Sequence, residues 1–148
     1  MRITRRDIAV AAIAAGVACS ATALAQAPQD ILGPMVWDWE KLPAKATDVG
    51  QLRSVVRQPT ATLSELEIHV TTLNPGIASH PPHHHPNEEI VIVRTGTVEV
   101  LSGGVWKRLG PGSIIFNASN SEHALKNVGT TPATYDVINW KTPATPAN

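Results

Sequence analysis

The stretch Gly76-Ile-Ala-Ser-His80-Pro81-Pro82-His83-His84-His85-Pro86-Asn87-Glu88-Glu89-Ile-Val-Ile-Val-Arg-Thr-Gly96 decides how the rest of the chain is read. Four of the six histidines fall in it, two glutamates follow at once, and it then becomes a β-branched run. In extended backbone, residues two apart face the same side, so His83 and His85 aim one way and His84 the other. Glu89 shares their odd parity, as do Val91 and Val93, which sets the ligating side chains at the mouth of an apolar interior. Pro86 and Asn87 mark a bend where a bulge can break strict alternation, so parity favours Glu89 over Glu88 without deciding between them. The pattern is that of a metal site built on the edge of a buried strand.

Outward from this stretch the chain is β-rich. Arg53 to Gln58, Leu66 to Leu73, Ile90 to Thr95, Thr97 to Leu101, Val105 to Leu109, Ser113 to Phe116, His123 to Asn127 and Thr134 to Trp140 all favour strand by residue type. Asn74-Pro75-Gly76, Ser102-Gly103-Gly104, Gly110-Pro111-Gly112 and Gly129-Thr130-Thr131-Pro132 supply turn chemistry between them. No long segment after the first 25 residues carries a helical apolar period, and Pro81, Pro82 and Pro86 oppose helix in the histidine segment itself. Short strands with frequent turns imply an all-β sandwich or barrel.

A second constellation follows downstream. Gly110-Pro111-Gly112 leads through Ile114-Ile115-Phe116 and Asn117 to His123 and Asn127, so that a further histidine stands at the start of a strand, just after a loop, where it can complete a ligand set. Together the two stretches resemble the cupin family. Gly76, His83, His85, Glu89 and Gly96 fit its first motif, with three residues between His85 and Glu89 and six between Glu89 and Gly96; Pro111, Gly112, His123 and Asn127 fit its second. The gap from Gly76 to His83 is one residue longer than usual, and Asn117 stands where many members carry proline. Neither departure touches a ligand position.

The resemblance, which covers Leu66 to Trp140, implies a double-stranded β-helix, the cupin or jelly-roll barrel, holding one divalent metal ion through His83, His85, Glu89 and His123. Three imidazoles and a carboxylate suit Fe(II), Mn(II), Zn(II) or Ni(II) and do not choose among them. An open position on such an ion makes catalysis on a small organic molecule available, by an oxygenase or by an isomerase or lyase. The alternative is a non-catalytic module that binds or senses a small molecule in the same barrel pocket. The family also implies a homodimer.

Other residues enter with weaker roles. His80 is a candidate catalytic or substrate-contacting group, with an exposed turn residue as the alternative. Glu122, beside His123, is a candidate to orient that ligand or act as a base, with a loop carboxylate as the alternative. His69 lies in an apolar-alternating segment and reads as a packed or hydrogen-bonded residue. Asn127 reads as a turn pin. Trp37 and Trp39 read as a clamp of an N-terminal arm onto the outside of a sheet or onto a second subunit, with stacking against substrate as the alternative.

Residues 1–25 read as a cleaved signal peptide: three arginines, an apolar run, and Ala23-Leu24-Ala25 ahead of Gln26. Thr4-Arg5-Arg6-Asp7-Ile8 resembles a twin-arginine signal, and an ordinary secretory signal fits as well. The destination is periplasmic or secreted, with no stable membrane insertion after cleavage. The only cysteine, Cys19, lies within the signal, so the mature chain has neither disulfides nor thiolate ligands. The mature chain divides into an arm over 26–47, a barrel over 48–141 and a flexible tail over 142–148. It carries nine basic and eleven acidic residues, a formal charge of −2, and has no basic patch with interleaved aromatics, which argues against nucleic acid.

Overall fold

The computed structural model describes residues 30–147. The expected signal peptide, with Cys19, and the first residues of the expected arm lie outside the described residues. A six-stranded antiparallel sheet has the order β1-β2-β3-β9-β4-β7, formed by Lys45–Thr47 (β1), Gly50–Gln58 (β2), Glu65–Leu73 (β3), Ala133–Lys141 (β9), Glu88–Thr95 (β4) and Ile114–Asn117 (β7). A three-stranded sheet has the order β6-β5-β8, formed by Val105–Leu109 (β6), Val98–Ser102 (β5) and Ala124–Asn127 (β8). The all-β architecture expected from the short strands and turns, and the jelly-roll barrel that the cupin resemblance implies, are observed. Among the described residues no helix is long and apolar enough to cross a membrane.

The core lies between the sheets. Val91 and Val93 of β4, Tyr135 and Val137 of β9 and Ile115 of β7 meet Val98 and Val100 of β5 and Leu125 of β8. Because side chains alternate along a strand, the pairing register stacks the inner face of the large sheet in rows. One row is hydroxylic and apolar, Thr71–Tyr135–Val93; the next is His69–Val137–Val91–Ile115; the one beyond is wholly polar, Glu67–Asn139–Glu89–Asn117. That polar row is the rim on which the functional site stands.

The Pro-Gly pairs set the ends of the strands that carry the site. Ile77 N–H donates to Asn74 O at 3.3 Å and Ser113 N–H to Gly110 O at 3.2 Å, closing two turns with proline second and glycine third. Gly76 and Gly112 sit at φ 73° and 83°, the left-handed value a type II turn needs at its third residue.

Local structure continues on both sides of the barrel strands. The large sheet begins at Lys45, three residues before the expected barrel boundary, because Lys45–Thr47 doubles back onto Gly50–Leu52. In the arm, Asp38 caps a 3₁₀ turn, Trp39–Lys41, by accepting from Glu40 N–H at 3.1 Å. The indole still clamps the arm to the sheet, under the guanidiniums of Arg53 and Arg94 at 4.6 and 4.9 Å from its ring centre. Arg53 also donates to Leu42 O. In the tail, Thr142 and Thr145 close a turn of their own, with Thr145 N–H to Thr142 O at 3.0 Å and Thr142 N–H to Thr145 Oγ1 at 2.8 Å.

Candidate metal centre

Backbone hydrogen bonds bring the two histidine-bearing segments together. His83 N–H donates to His123 O at 3.1 Å and His123 N–H to His83 O at 2.9 Å, an isolated antiparallel bridge at the residue just before β8. Asn120 N–H donates to His85 O at 2.8 Å, tying the third histidine to the same loop. Paired residues in such a bridge project to the same side, so the His83 and His123 rings lie 4.4 Å apart, with His85 at 4.8 Å from His123. One ring nitrogen from each of His83, His85 and His123 lies within 4.8 Å of the other two.

The protonation pattern suits a cation. His85 Nδ1–H donates to Asn87 O and His123 Nδ1–H to Ser121 O, each at 2.9 Å, which leaves both Nε2 atoms as lone pairs. His83 Nδ1 is buried with no hydrogen-bond partner. Burial, with the imidazoles of His80, His123 and His85 around it, lowers the pKa of His83 to about 4, so this ring is neutral at ordinary pH. Three imidazoles packed this closely beside a carboxylate suit a divalent ion.

Glu89 is the second residue of β4. Its Oε2 lies 3.7 Å from His85 Nε2 and its Oε1 3.9 Å from His123 Nε2, and Asn117 Nδ2 donates to Oε1 at 2.9 Å. The structure therefore gathers three of the four expected ligands tightly and places the fourth against two of them. His84 is exposed, as alternation requires.

The candidate catalytic residues part company. His80 is exposed, yet its ring centre lies 4.0 Å from that of His83 and it lines the cavity below. Glu122 is also exposed and is not among the cavity-lining residues, since turning His123 inward turns its neighbour out. Asn127 is the turn pin expected, donating from Nδ2 to Leu73 O, Asn74 O and Thr131 O and accepting from Gly129 N–H.

Beneath the cluster a cavity of about 190 Å³ runs between the sheets, and His123 and Glu89 belong to both. Its walls mix aliphatic side chains with the hydroxyls of Thr71, Ser79 and Tyr135. Burial pushes the Tyr135 phenol up to about 12 against the effect of hydrogen bonds with Ser79 and Thr71. Asn117, His69 and Tyr135 are site features that a reading of the two motifs misses. Their signal is the cross-strand register, which a single sequence does not print.

Comparison with known proteins now adds the family. The model of the cupin domain matches residues 69–139, which contain every residue of the cluster. Residues 69–139 are a cupin domain. Solved cupins share its barrel: KdgF from Halomonas sp. superposes with a TM-score of 0.62 at 18% identity, over 75% of this chain and 97% of that one. An RmlC-like cupin from Shewanella frigidimarina gives a TM-score of 0.61 at 16% identity, over 76% and 95% of the two chains. A sugar phosphate isomerase of the cupin superfamily from Silicibacter pomeroyi gives 0.57 at 19%, over 74% and 77%. At these identities the likeness is one of fold. No curated protein matches the cupin chain.

Proposed function

We infer that this cupin is a mononuclear metal-dependent enzyme acting on a small organic molecule, with His83, His85, His123 and Glu89 as the metal ligands. One observation carries the reading: the imidazole cluster and the cavity share His123, and Glu89, which stands against the cluster, lines the cavity too, so an ion held there would face whatever occupies the cavity. A bound divalent ion would supply Lewis acidity toward an oxygen of the substrate. The chain does the rest. Ser121 O and Asn87 O orient two ligands, Asn117 holds Glu89, and the aliphatic walls exclude water while the Tyr135, Thr71 and Ser79 hydroxyls meet the polar end of the guest.

The experiment is elemental analysis of the purified mature protein followed by a metabolite screen with an oxygen electrode. Substrate-dependent oxygen uptake with iron identifies an oxygenase. Turnover with manganese or zinc and no oxygen uptake identifies an isomerase or lyase. Thermal stabilisation by a ligand that is never converted identifies a binding module and ends the enzyme reading. Metal content below one ion per barrel under all loading conditions ends the metal reading.

Two further readings accompany this one. The export reading rests on residues 1–25 alone. The dimer reading is supported by the edge strand β7, which leaves Ile114 and Phe116 exposed.

A further inference from the structure

In the wall of the same cavity, β3 places a histidine that the metal reading does not use. His69 lines the cavity, and its Nδ1–H donates to Glu67 Oε1 at 2.7 Å. Both side chains are largely withdrawn from water, at 23% and 14% exposure, so the pair is not a solvated surface contact. Two residues apart on one strand, they face the same side by alternation.

The carboxylate is itself held in place. Asn139 Nδ2 donates to Glu67 Oε2 at 2.6 Å, Asn87 Nδ2 donates to Asn139 Oδ1 at 3.2 Å, and the carbonyl of Asn87 accepts from His85 Nδ1–H. A continuous hydrogen-bonded chain thus runs from the cavity histidine to a residue of the imidazole cluster. Its effect on His69 is specific. With Nδ1–H committed to Glu67, the neutral ring keeps its lone pair on Nε2, the nitrogen left to exchange a proton with a molecule in the cavity. A histidine kept only for packing needs no oriented carboxylate behind it.

The walls say which molecules fit. None of the described residues lining the cavity is lysine or arginine, so none of them would balance a phosphate or a second carboxylate. Hydroxyls of Thr71, Ser79 and Tyr135 and the amide of Asn117 suit a neutral oxygenated guest instead. Resting on the metal reading above, we propose that His69 is the proton-transferring residue of this cavity, positioned by Glu67, and that its substrate is a small neutral hydroxycarbonyl compound. His69 Nε2 takes the proton from the carbon next to the carbonyl, the electron pair of that C–H bond passes into the enolate, and the same nitrogen returns the proton to carbon. Atoms and charge balance with no oxidant.

The test uses the full mature protein loaded with zinc, dihydroxyacetone as the probe, and NMR to follow exchange of its carbon-bound hydrogens for deuterium in D₂O. One zinc per chain and catalysed exchange are expected, with His69→Gln and His69→Asn slowing exchange by about 100-fold or more while zinc content is unchanged. Glu67→Ala should slow exchange and convert the His69 ring, read by long-range ¹H–¹⁵N correlation, from the Nδ1–H form to a mixture of tautomers. Exchange in both His69 variants within twofold of the parent overturns the assignment of His69, and an unchanged tautomer in Glu67→Ala overturns the role of Glu67. Zinc-loaded parent protein that gives no exchange overturns the substrate class. Failure to bind zinc overturns the metal reading, and this proposal with it.

Discussion

Asn117 and Glu89 are cross-strand partners on the inner face of β7 and β4, and the Asn117 amide donates to Glu89 Oε1 at 2.9 Å. Asn117 is also the position at which the chain departs from the proline common in its family, so the departure supplies a donor that proline lacks. The bond leaves Glu89 Oε2, the atom nearer His85, to turn toward the imidazoles. Asn117→Ala should therefore weaken divalent-metal binding by about 10- to 100-fold, the usual cost of removing a group that orients a ligand, while the thermal transition of the metal-free protein moves little. Competition titration against a chromophoric chelator reads the affinity. An unchanged constant would detach Glu89 from the ion.

His123→Ala should remove most bound metal and leave a folded barrel. The His83–His123 bridge is made by main-chain atoms, which alanine retains, and the core beneath is aliphatic. His84→Ala should bind metal as the parent does, because His84 is exposed on the opposite side of the strand. Metal-to-protein ratios after dialysis separate the two variants, and equal losses in both would put the register of this segment in error by one residue.

How much of this was legible beforehand follows from the range of the interactions involved. All eight segments read as strands are strands, because alternation and Pro-Gly turns are local signals. Lys45–Thr47 was missed since its pairing partner, not its composition, makes it a strand. The ligands His83, His85 and His123 are carried by short motifs and could be named, whereas Asn117, Asn139 and Glu67 matter through partners 28 and 72 residues away, and only the β3–β9–β4–β7 register brings those together. From sequence, His69 reads as a structural histidine for the same reason: its carboxylate is visible two residues back, but the cavity in front of it is not.

Gly96 is fixed by space as well as by backbone. It has φ 83°, and a Cβ there would stand 2.6 Å from both Cα and Cβ of Ala133, a buried residue of β9. The main chain, not a flexible side chain, is what would have to yield. Gly96→Ala should cost about 2–4 kcal/mol, the sum of a left-handed non-glycine and an overpacked contact. A lowered urea midpoint at unchanged m-value checks it.

Asn127 is only 1% exposed and spends its amide on three carbonyls from two different turns, those following β3 and preceding β9. Asn127→Asp keeps the shape and the acceptor but replaces the donor by a second oxygen facing those carbonyls. Loss of about 3 kcal/mol or more is expected, since buried acceptors left unpaired cost about 1–3 kcal/mol each. Asn127→Asp should also be far less damaging below pH 4, where protonation restores a donor, and equilibrium unfolding at two pH values would expose the difference.

Two groups predict where the metal-free barrel loses stability with pH. His83 has its folded pKa lowered to about 4, below the roughly 6.5 of an unfolded histidine, because burial and three neighbouring imidazoles oppose its charge. Between those values the unfolded chain binds a proton that the folded chain does not, so its contribution is present above about pH 6.5 and is lost as pH falls toward 4. Tyr135 has its folded pKa raised to about 12, above the roughly 10 of an unfolded tyrosine, chiefly through burial. There the unfolded chain gives up its proton first, so the contribution is intact below about pH 10 and is lost as pH rises through 12. Urea unfolding of chelator-treated protein from pH 4 to 12 should give a plateau with both shoulders. Tyr135→Phe should flatten the alkaline one, because phenylalanine has no proton to lose, and a shoulder that survives this substitution would place the titrating group elsewhere.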